Sequence, residues 1–455
     1  MNRALFIFRR DLRLQDNTAL QKALKENDEV LPCFILDKRQ VERNEYKSQN
    51  LLQFMRDSLK ELNESLKKQN GKLYIFYGIT HDIINEAIQK TDITSVYVNR
   101  DYTPFSKERD KKIHEVCQKN NVEFKSSHDY LLNHPDKVFT NTGNPYKVFT
   151  PYWKKARKHD VPKPKQNTHT NYFNKDLDLE RFKKLNELVE EDNPHIFRKG
   201  GRKEALNILQ NLKKHQNYEE DRNYPWKDGT TGLSPHNKFG TVSIREVYHA
   251  MKETLGFNGL IRELYWRDFY TQLQYHFGYV YEESFKKKYN KVEWDNNKEA
   301  LKAWKEGKTG FPIIDAGMRQ LNKTGWMHNR VRMIVACFLT KDLHIHWKHG
   351  EKYFAQKLVD YDRSVNNGSW QWAASTGADA QPYFRIFNPW SQQKKYDKKA
   401  KYIKKYIPEL QNVNPKALHK LDKQTPLGMP KKYPKPIVDH DVERKEALER
   451  YKKVV

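Results

Sequence analysis

An α/β domain built on a parallel sheet, followed by an all-α domain, is the fold class this sequence predicts. Two observations carry it. Over the first 130 residues short apolar runs alternate with longer helix-like stretches, and after Gly200 only helix-period segments remain. The length of 455 residues leaves room for two or three domains.

The apolar runs are "ALFIF" at 4–8, "VLPCFIL" at 30–36, "KLYIFY" at 72–77 and "TSVYVN" at 94–99. Helix-like stretches follow, among them Lys47 to Gln69 and Phe105 to Asn120. Strand then helix, repeated, is the pattern of a parallel sheet covered on both faces. The layout is Rossmann-like, yet no G-x-G-x-x-G follows any run, so a dinucleotide fingerprint is absent from it. This domain is placed at 1–135.

From Pro151 to Asn193 the periodicity dissolves into "KKARKHDVPKPKQNTHTNYFNKD" and a charged stretch, which reads as a linker crossing a surface. The linker is set at 136–200 and the helical domain at 201–455. In the latter, "RKEALNILQNLKK", "SIREVYHAMKETL", "IRELYWRDFYTQLQYH" and "RVRMIVACFLTKDLHIHW" repeat apolar residues at three- and four-residue spacing. A tail rich in Lys, Tyr and Pro follows Lys394. No internal repeat is present.

Lys and Arg number 84 against 58 Asp and Glu, a formal charge of +26, which favours a polyanionic partner, with nucleic acid first. A lysine-rich surface that only solvates the protein is the competing explanation, and an anionic membrane is a third, without an amphipathic basic helix to serve it. Cys33, Cys117 and Cys337 are too few and too scattered for a disulfide framework or a zinc site. No metal is expected. The first residues, "MNRALFIFRRDLRL", hold too short an apolar run for a signal peptide. A soluble intracellular protein is expected.

Three stretches carry the chemistry: "RELYWRDFY" at 262–270, "EGKTGFPIIDAGMRQLNKTGWMHNRVRMI" at 306–334 and "NNGSWQWAASTGADAQPYFRIFNPW" at 366–390. Together with "FRRDLRLQDNTAL" at 8–20 they resemble the photolyase/cryptochrome family, and most of all its class I cyclobutane pyrimidine dimer (CPD) photolyases. The resemblance spans essentially the whole chain. It implies blue-light-driven DNA repair, with reduced FAD giving an electron to a flipped-out cyclobutane dimer and recovering it after splitting. A cryptochrome-type photoreceptor and a (6-4) photoproduct lyase are the alternatives within the family. A basic nucleic-acid-binding protein without catalysis is the alternative outside it.

The resemblance places FAD in the helical domain, against Tyr218, Thr230, Thr231, Gly232, Leu233, Ser234, Arg267, Arg332, Asp360, Asp362 and Asn366. Hydroxyls and backbone N–H groups ahead of a helix suit phosphate oxygens, and Arg267 can add a charge-assisted bond to them. An ordinary turn is the plain alternative for "GTTGLSP". Asn366 is implied beside flavin N5, where cryptochromes carry Asp or Cys.

Trp266 and Trp372 match the two indoles that wall the family's lesion pocket, with Met333 as an adaptable apolar contact. Glu263 and Asn329 are implied at the pyrimidine carbonyls, Glu263 protonated so that it can donate to the developing radical anion. The plain alternative for Glu263 is a pair with Arg262 or Arg267. Arg222, Arg330, Arg385 and Gln392 fall at DNA-contact or pocket-rim positions. Asn329 in place of a second histidine after His328 favours the cyclobutane dimer over the (6-4) product. Trp294, Trp347 and Trp370 match a relay that re-reduces oxidised flavin, against the plain alternative of core packing.

Three departures from the family stand out. Phe105 and Ser106 occupy the positions nearest a folate-binding Asn-Glu pair, so a deazaflavin or flavin antenna is favoured over folate. Leu260 replaces a tryptophan expected near the adenine. Trp390 stands where a small or polar residue is usual and is expected to add an aromatic contact at the DNA rim. A monomer acting on UV-damaged DNA, without membrane contact, is expected. Its location is cytoplasmic and nucleoid-associated in a prokaryotic cell, with a nuclear one left open otherwise.

Overall fold

A computed structural model describes residues 1–42, 44–256, 259–421 and 429–454. Five parallel strands form one sheet: β1 (Arg3–Phe8), β2 (Glu29–Asp37), β3 (Tyr74–Gly78), β4 (Ile93–Asn99) and β5 (Glu123–Ser127), in the order β3-β2-β1-β4-β5. The continuous apolar character of β1 follows from its position. Side chains alternate across a strand, so Phe6 and Phe8 enter one core while Leu5 and Ile7 enter another. The first core is shared with Phe54, Phe239 and Trp326, and therefore faces the helical region. The second is covered by Ile84 and Ile113 of helices Thr80–Lys90 and Pro104–Lys119.

The four apolar runs are β1 to β4, and helices Gln49–Lys67 and Pro104–Lys119 match the two expected stretches within two residues. β5 was not foreseen. It is an edge strand of sequence EFKSS whose residues stay partly exposed, so it lacks an apolar run.

The segment at 136–200 is not a free linker. Phe149–Ala156 is helical and buries Phe149 and Tyr152, while Tyr172 bridges to Val30 beside β2 and is itself buried. Beyond it every regular element among the described residues is a helix. Gly259–His276 buries residues all round, so its apolar pattern is broad and not a stripe. The run expected to continue to Trp347 breaks after Lys341; Asn329–Lys341 ends there, and His346 caps a new helix, Trp347–Lys357. Asp362 caps Arg363–Ala373 by accepting from the Ser364 and Val365 N–H groups at 3.0 and 3.2 Å.

Buried charges join the sheet region to the helices. Arg13 meets Asp129 at 2.5 Å, and Arg245 meets Asp16 at 2.8 Å and Asp129 at 2.7 Å. Arg10, just past β1, bonds Asp362 and Tyr130. Removing one member of such a buried pair costs about 3–5 kcal/mol. Among the described residues no helix is long and apolar enough to cross a membrane, and no cluster of His, Cys, Asp or Glu could hold a metal.

Candidate active site

The helices enclose a cavity of about 460 Å³. Its lining falls into a polar end, an aromatic mouth and a wall between them.

The polar end is made by 230–234 and by residues just ahead of helix Arg363–Ala373. Gly232 turns with φ +65°, and a Cβ there would meet the Arg198 guanidinium at 2.8 Å and the Phe197 ring at 2.9 Å. Glycine is thus required both for its backbone and for room. Ser234 Oγ donates to Asp360 Oδ2 at 2.6 Å, and Arg332 Nη2 donates to the same oxygen at 2.9 Å. The other Asp360 oxygen is buried without a partner. Burial alone would raise the Asp362 carboxyl, but Arg10 and Lys238 outweigh it and hold it far below the usual carboxylate range. Lys238, also in the lining, is pushed down to about 8 by burial, with Arg10 beside it acting the same way.

Arg267 lines the cavity but is held otherwise than expected. Its Nη1 and Nη2 donate to the Tyr130 and Asn237 carbonyls, both at 3.0 Å, and its guanidinium lies 3.7 Å from the Tyr130 ring centroid. One N–H on each of these nitrogens is thus taken by protein, while Arg332 and Arg10 are tied to the polar end through the carboxylates of Asp360 and Asp362. Tyr218 and Leu233 complete this side, both buried.

The wall comes from Arg363–Ala373. Asn366 is buried and donates through Nδ2 to the Glu351 carbonyl at 3.0 Å. Trp370 is 2% exposed and lies edge-on to Phe354 at 5.0 Å and to Trp304 at 6.1 Å. A Cβ on Gly350 would meet the Trp370 ring at 2.1 Å, so glycine lets helix Trp347–Lys357 close onto it.

At the mouth, Trp266 stacks on Phe149 at 3.6 Å with the planes 8° apart. Trp372, Met333 and Asn329 share the lining. Trp370 and Trp372, two positions apart, are turned by about 200° on a helix, which explains why one is buried and the other half-exposed. Glu263 accepts from Arg222 Nη1 at 2.7 Å. Neither Arg262 nor Arg267 is its partner; the carboxyl serves here as the acceptor for Arg222. His328 is 2% exposed, burial lowers its imidazole to about 3, and its Nδ1 accepts from the Arg330 N–H at 3.2 Å, while Asn329 lines the cavity.

Five further candidates lie outside the lining. Arg330 donates to Asn223 Oδ1 at 2.6 Å and covers the Tyr396 ring at 4.5 Å; Arg385 is exposed and Gln392 half-buried. Trp347 is fully buried and Trp294 half-exposed, with the His346 ring between them at 5.4 and 5.2 Å. Trp390 is corrected: it is 8% exposed and stacks on Phe311 at 4.7 Å, in the core and not at the rim. The sequence reading missed Arg10, Lys238, Asn237 and Tyr270. Arg10 had a signal, two arginines and an aspartate directly after the first strand, where parallel sheets place functional side chains.

The deoxyribodipyrimidine photo-lyase of Alkalihalophilus pseudofirmus is 38% identical to this chain, covering 98% of it and 97% of the relative. The chain belongs to the photolyase/cryptochrome family. Within it, the DNA photolyase model matches residues 4–168, and the model described as the FAD binding domain of DNA photolyase matches residues 260–453. Most of the cavity lining falls inside the photolyase FAD-binding match, while Tyr218 and 230–234 precede it. The archaeal photolyase from Sulfolobus tokodaii, solved with two FAD molecules, is 42% identical at a TM-score of 0.90, covering 99% of this chain and all of that one. A bacterial class III photolyase from Agrobacterium tumefaciens is 33% identical at 0.92, covering 100% and 98%.

Proposed function

We propose that this chain is a blue-light-driven deoxyribodipyrimidine photo-lyase acting on cyclobutane dimers in UV-damaged DNA. The observation that carries the reading is the single cavity in which a polar, charge-bearing end meets an aromatic mouth. The polar end fits FAD. Asp360 offers a buried oxygen with no partner, Gly232 leaves room for close backbone approach, and Arg332 brings positive charge beside hydroxyls. Thr230, Thr231, Ser234 and Arg332 would hold the diphosphate, and Asn366 would present its amide to the isoalloxazine ring.

The chemistry FAD would supply, when bound in reduced form and excited by light, is the loan of one electron to the dimer. The chain's own residues do the rest. Trp266, backed by Phe149, and Trp372 offer flat faces to an extruded base pair, each stacked base gaining about 1–3 kcal/mol. Asn329 and Glu263 face the pyrimidine carbonyls, where a donor stabilises developing negative charge. Glu263 serves as a donor only after Arg222 is drawn to a DNA phosphate and the carboxyl takes up a proton. Trp370 lines the cavity, Trp347 is buried and Trp294 is half-exposed, and the three would carry electrons inward during photoreduction.

The antenna reading rests on the α/β domain. Thr103 caps helix Pro104–Lys119 by accepting from Ser106 N–H at 3.3 Å, and Phe105 lies between Arg39 and Arg109. That chemistry and the second FAD of the Sulfolobus protein favour a flavin-type pigment over folate. The protein is proposed to act as a monomer. The test of function is repair under blue light of oligonucleotides carrying a cyclobutane dimer or a (6-4) product. Repair of the first alone is expected; activity on neither would overturn the reading.

A further inference from the structure

Of the ten tryptophans, only Trp226 is exposed, at 39%. It belongs to none of the groups described so far. Lys401 Nζ lies 4.6 Å from its ring centroid and Lys227 Nζ 5.5 Å, with the Tyr224 ring at 6.0 Å. The ring is held in a cationic frame and not in an apolar one.

This frame connects to the mouth of the cavity. Arg222 lines the mouth, the next residue Asn223 accepts from Arg330 at 2.6 Å, and Arg330 covers Tyr396 at 4.5 Å. Tyr396 ends helix Pro389–Tyr396 within a stretch dense in lysine: Lys394, Lys395, Lys398, Lys399 and Lys401 are all exposed. None of the five forms an ion pair with a described carboxylate. The one acid among them, Asp397, is fully buried and accepts from the Ile403 N–H at 2.9 Å, so it does not mask their charge at the surface. Nearer the tryptophan, Asp221 does pair with Lys227, and Asp228 with Lys214 at 3.3 Å. The uncompensated charge therefore sits on the Lys394–Lys401 side.

Five ammonium groups without a described carboxylate partner within eight residues, leading away from a pocket read as a lesion site, match the charge of a nucleic-acid backbone. An exposed indole set among them adds a face for a base or sugar edge. We propose that this strip, from Tyr396 across the lysine stretch to Trp226, seats the duplex arm on one side of the lesion. The lysines take phosphates and Trp226 packs against a sugar or base edge. This rests on the DNA-repair reading above and extends it to the undamaged flank.

The test uses full-length, FAD-loaded protein and duplexes with a central cyclobutane dimer, each with both arms long or with one arm shortened. Two variants are compared with the wild type: Trp226→Ala, and Lys398→Ala/Lys399→Ala/Lys401→Ala. All four positions are exposed or partly so, and retained flavin absorbance reports folding. Wild type should lose affinity when one particular arm is shortened and not the other. The triple variant should bind the long duplex as weakly as wild type binds the shortened one, with its log–log salt slope reduced by about 2–3. Trp226→Ala should weaken long-arm binding about 5- to 100-fold without changing that slope, and Trp226→Phe should recover part of the loss. Light-driven repair at saturating DNA should match wild type in every variant. Unchanged arm dependence and salt slope in the triple variant would overturn the strip. Absence of repair by wild type, with the binding pattern intact, would overturn the activity and leave the strip standing.

Discussion

Arg222 and Glu263, 41 residues apart, form an ion pair of 2.7 Å at the mouth of the cavity. In this pair the Glu263 carboxyl accepts from Arg222, and a carboxylate cannot donate a hydrogen bond. Removing the carboxyl and replacing it by a permanent donor should therefore have different results. Glu263→Ala should keep FAD and lower the repair yield per photon. The lost donor is worth about 2–4 kcal/mol at a developing anion, although competition with electron return makes the yield fall less than proportionately. Glu263→Gln, whose amide donates without a proton, should keep most of the yield. Equal yields for Ala and wild type would remove Glu263 from the chemistry.

Arg330 stands at the rim, tied to Asn223 and over Tyr396. Each phosphate neutralised contributes about −0.9 to the slope of log K against log salt. Arg330→Ala should weaken binding to damaged and undamaged DNA alike and flatten the slope by about one, as read by titrations from low to moderate salt. An unchanged slope means that Arg330 serves Tyr396 and Asn223 alone.

For Trp294, Trp347 and Trp370 the measurement must separate electron transfer from packing. Each Trp→Phe change should leave FAD content and lesion binding near normal, with a stability loss under about 1.5 kcal/mol if the ring repacks. Flash photoreduction of oxidised protein should fall sharply in all three, because phenylalanine is far harder to oxidise. Repair by chemically pre-reduced protein should survive in Trp294→Phe and Trp347→Phe. Normal photoreduction in every variant would leave the three as core residues.

Burial pushes the Glu351 carboxyl up to about 7, although Asn367 donates to it at 3.1 Å. Between the ordinary glutamate value near 4.5 and 7, the folded protein keeps a proton that the unfolded chain has released. Stability therefore falls as pH rises through that window and is level above it. Glu351→Gln should remove this slope, raising stability at pH 8 by about 1–3 kcal/mol and changing it little at pH 4. Thermal unfolding at the two pH values checks it; parallel shifts at both would rule out the titration.

Which features were legible in the sequence follows from how local they are. β1 to β4 announced themselves because buried parallel strands are apolar on both faces, whereas β5 is a polar edge with nothing to announce. The cavity residues came from motifs, and the structure gathers all but Arg330, Arg385, Gln392, Trp294 and Trp347 into one lining. Partnerships were not legible. No spacing rule connects Arg222 to Glu263, Arg267 to Tyr130, or Trp390 to Phe311, since each depends on how distant elements pack. Trp390 shows the cost most plainly, because an indole on a core-facing helix and one at a binding rim look alike until the neighbour is known.

Asp362 has two bonds that concern the biogenesis of the protein. One oxygen starts the helix that carries Asn366, Trp370 and Trp372, and the other takes the guanidinium of Arg10 at the end of the first strand. Strand β1 thus waits for helix Arg363–Ala373, more than 350 residues later, and all of the chain between them must be synthesised before the wall of the cavity can be fixed. Cofactor capture then belongs to the finished or nearly finished polypeptide, and a nascent chain halted before Asp362 should emerge colourless.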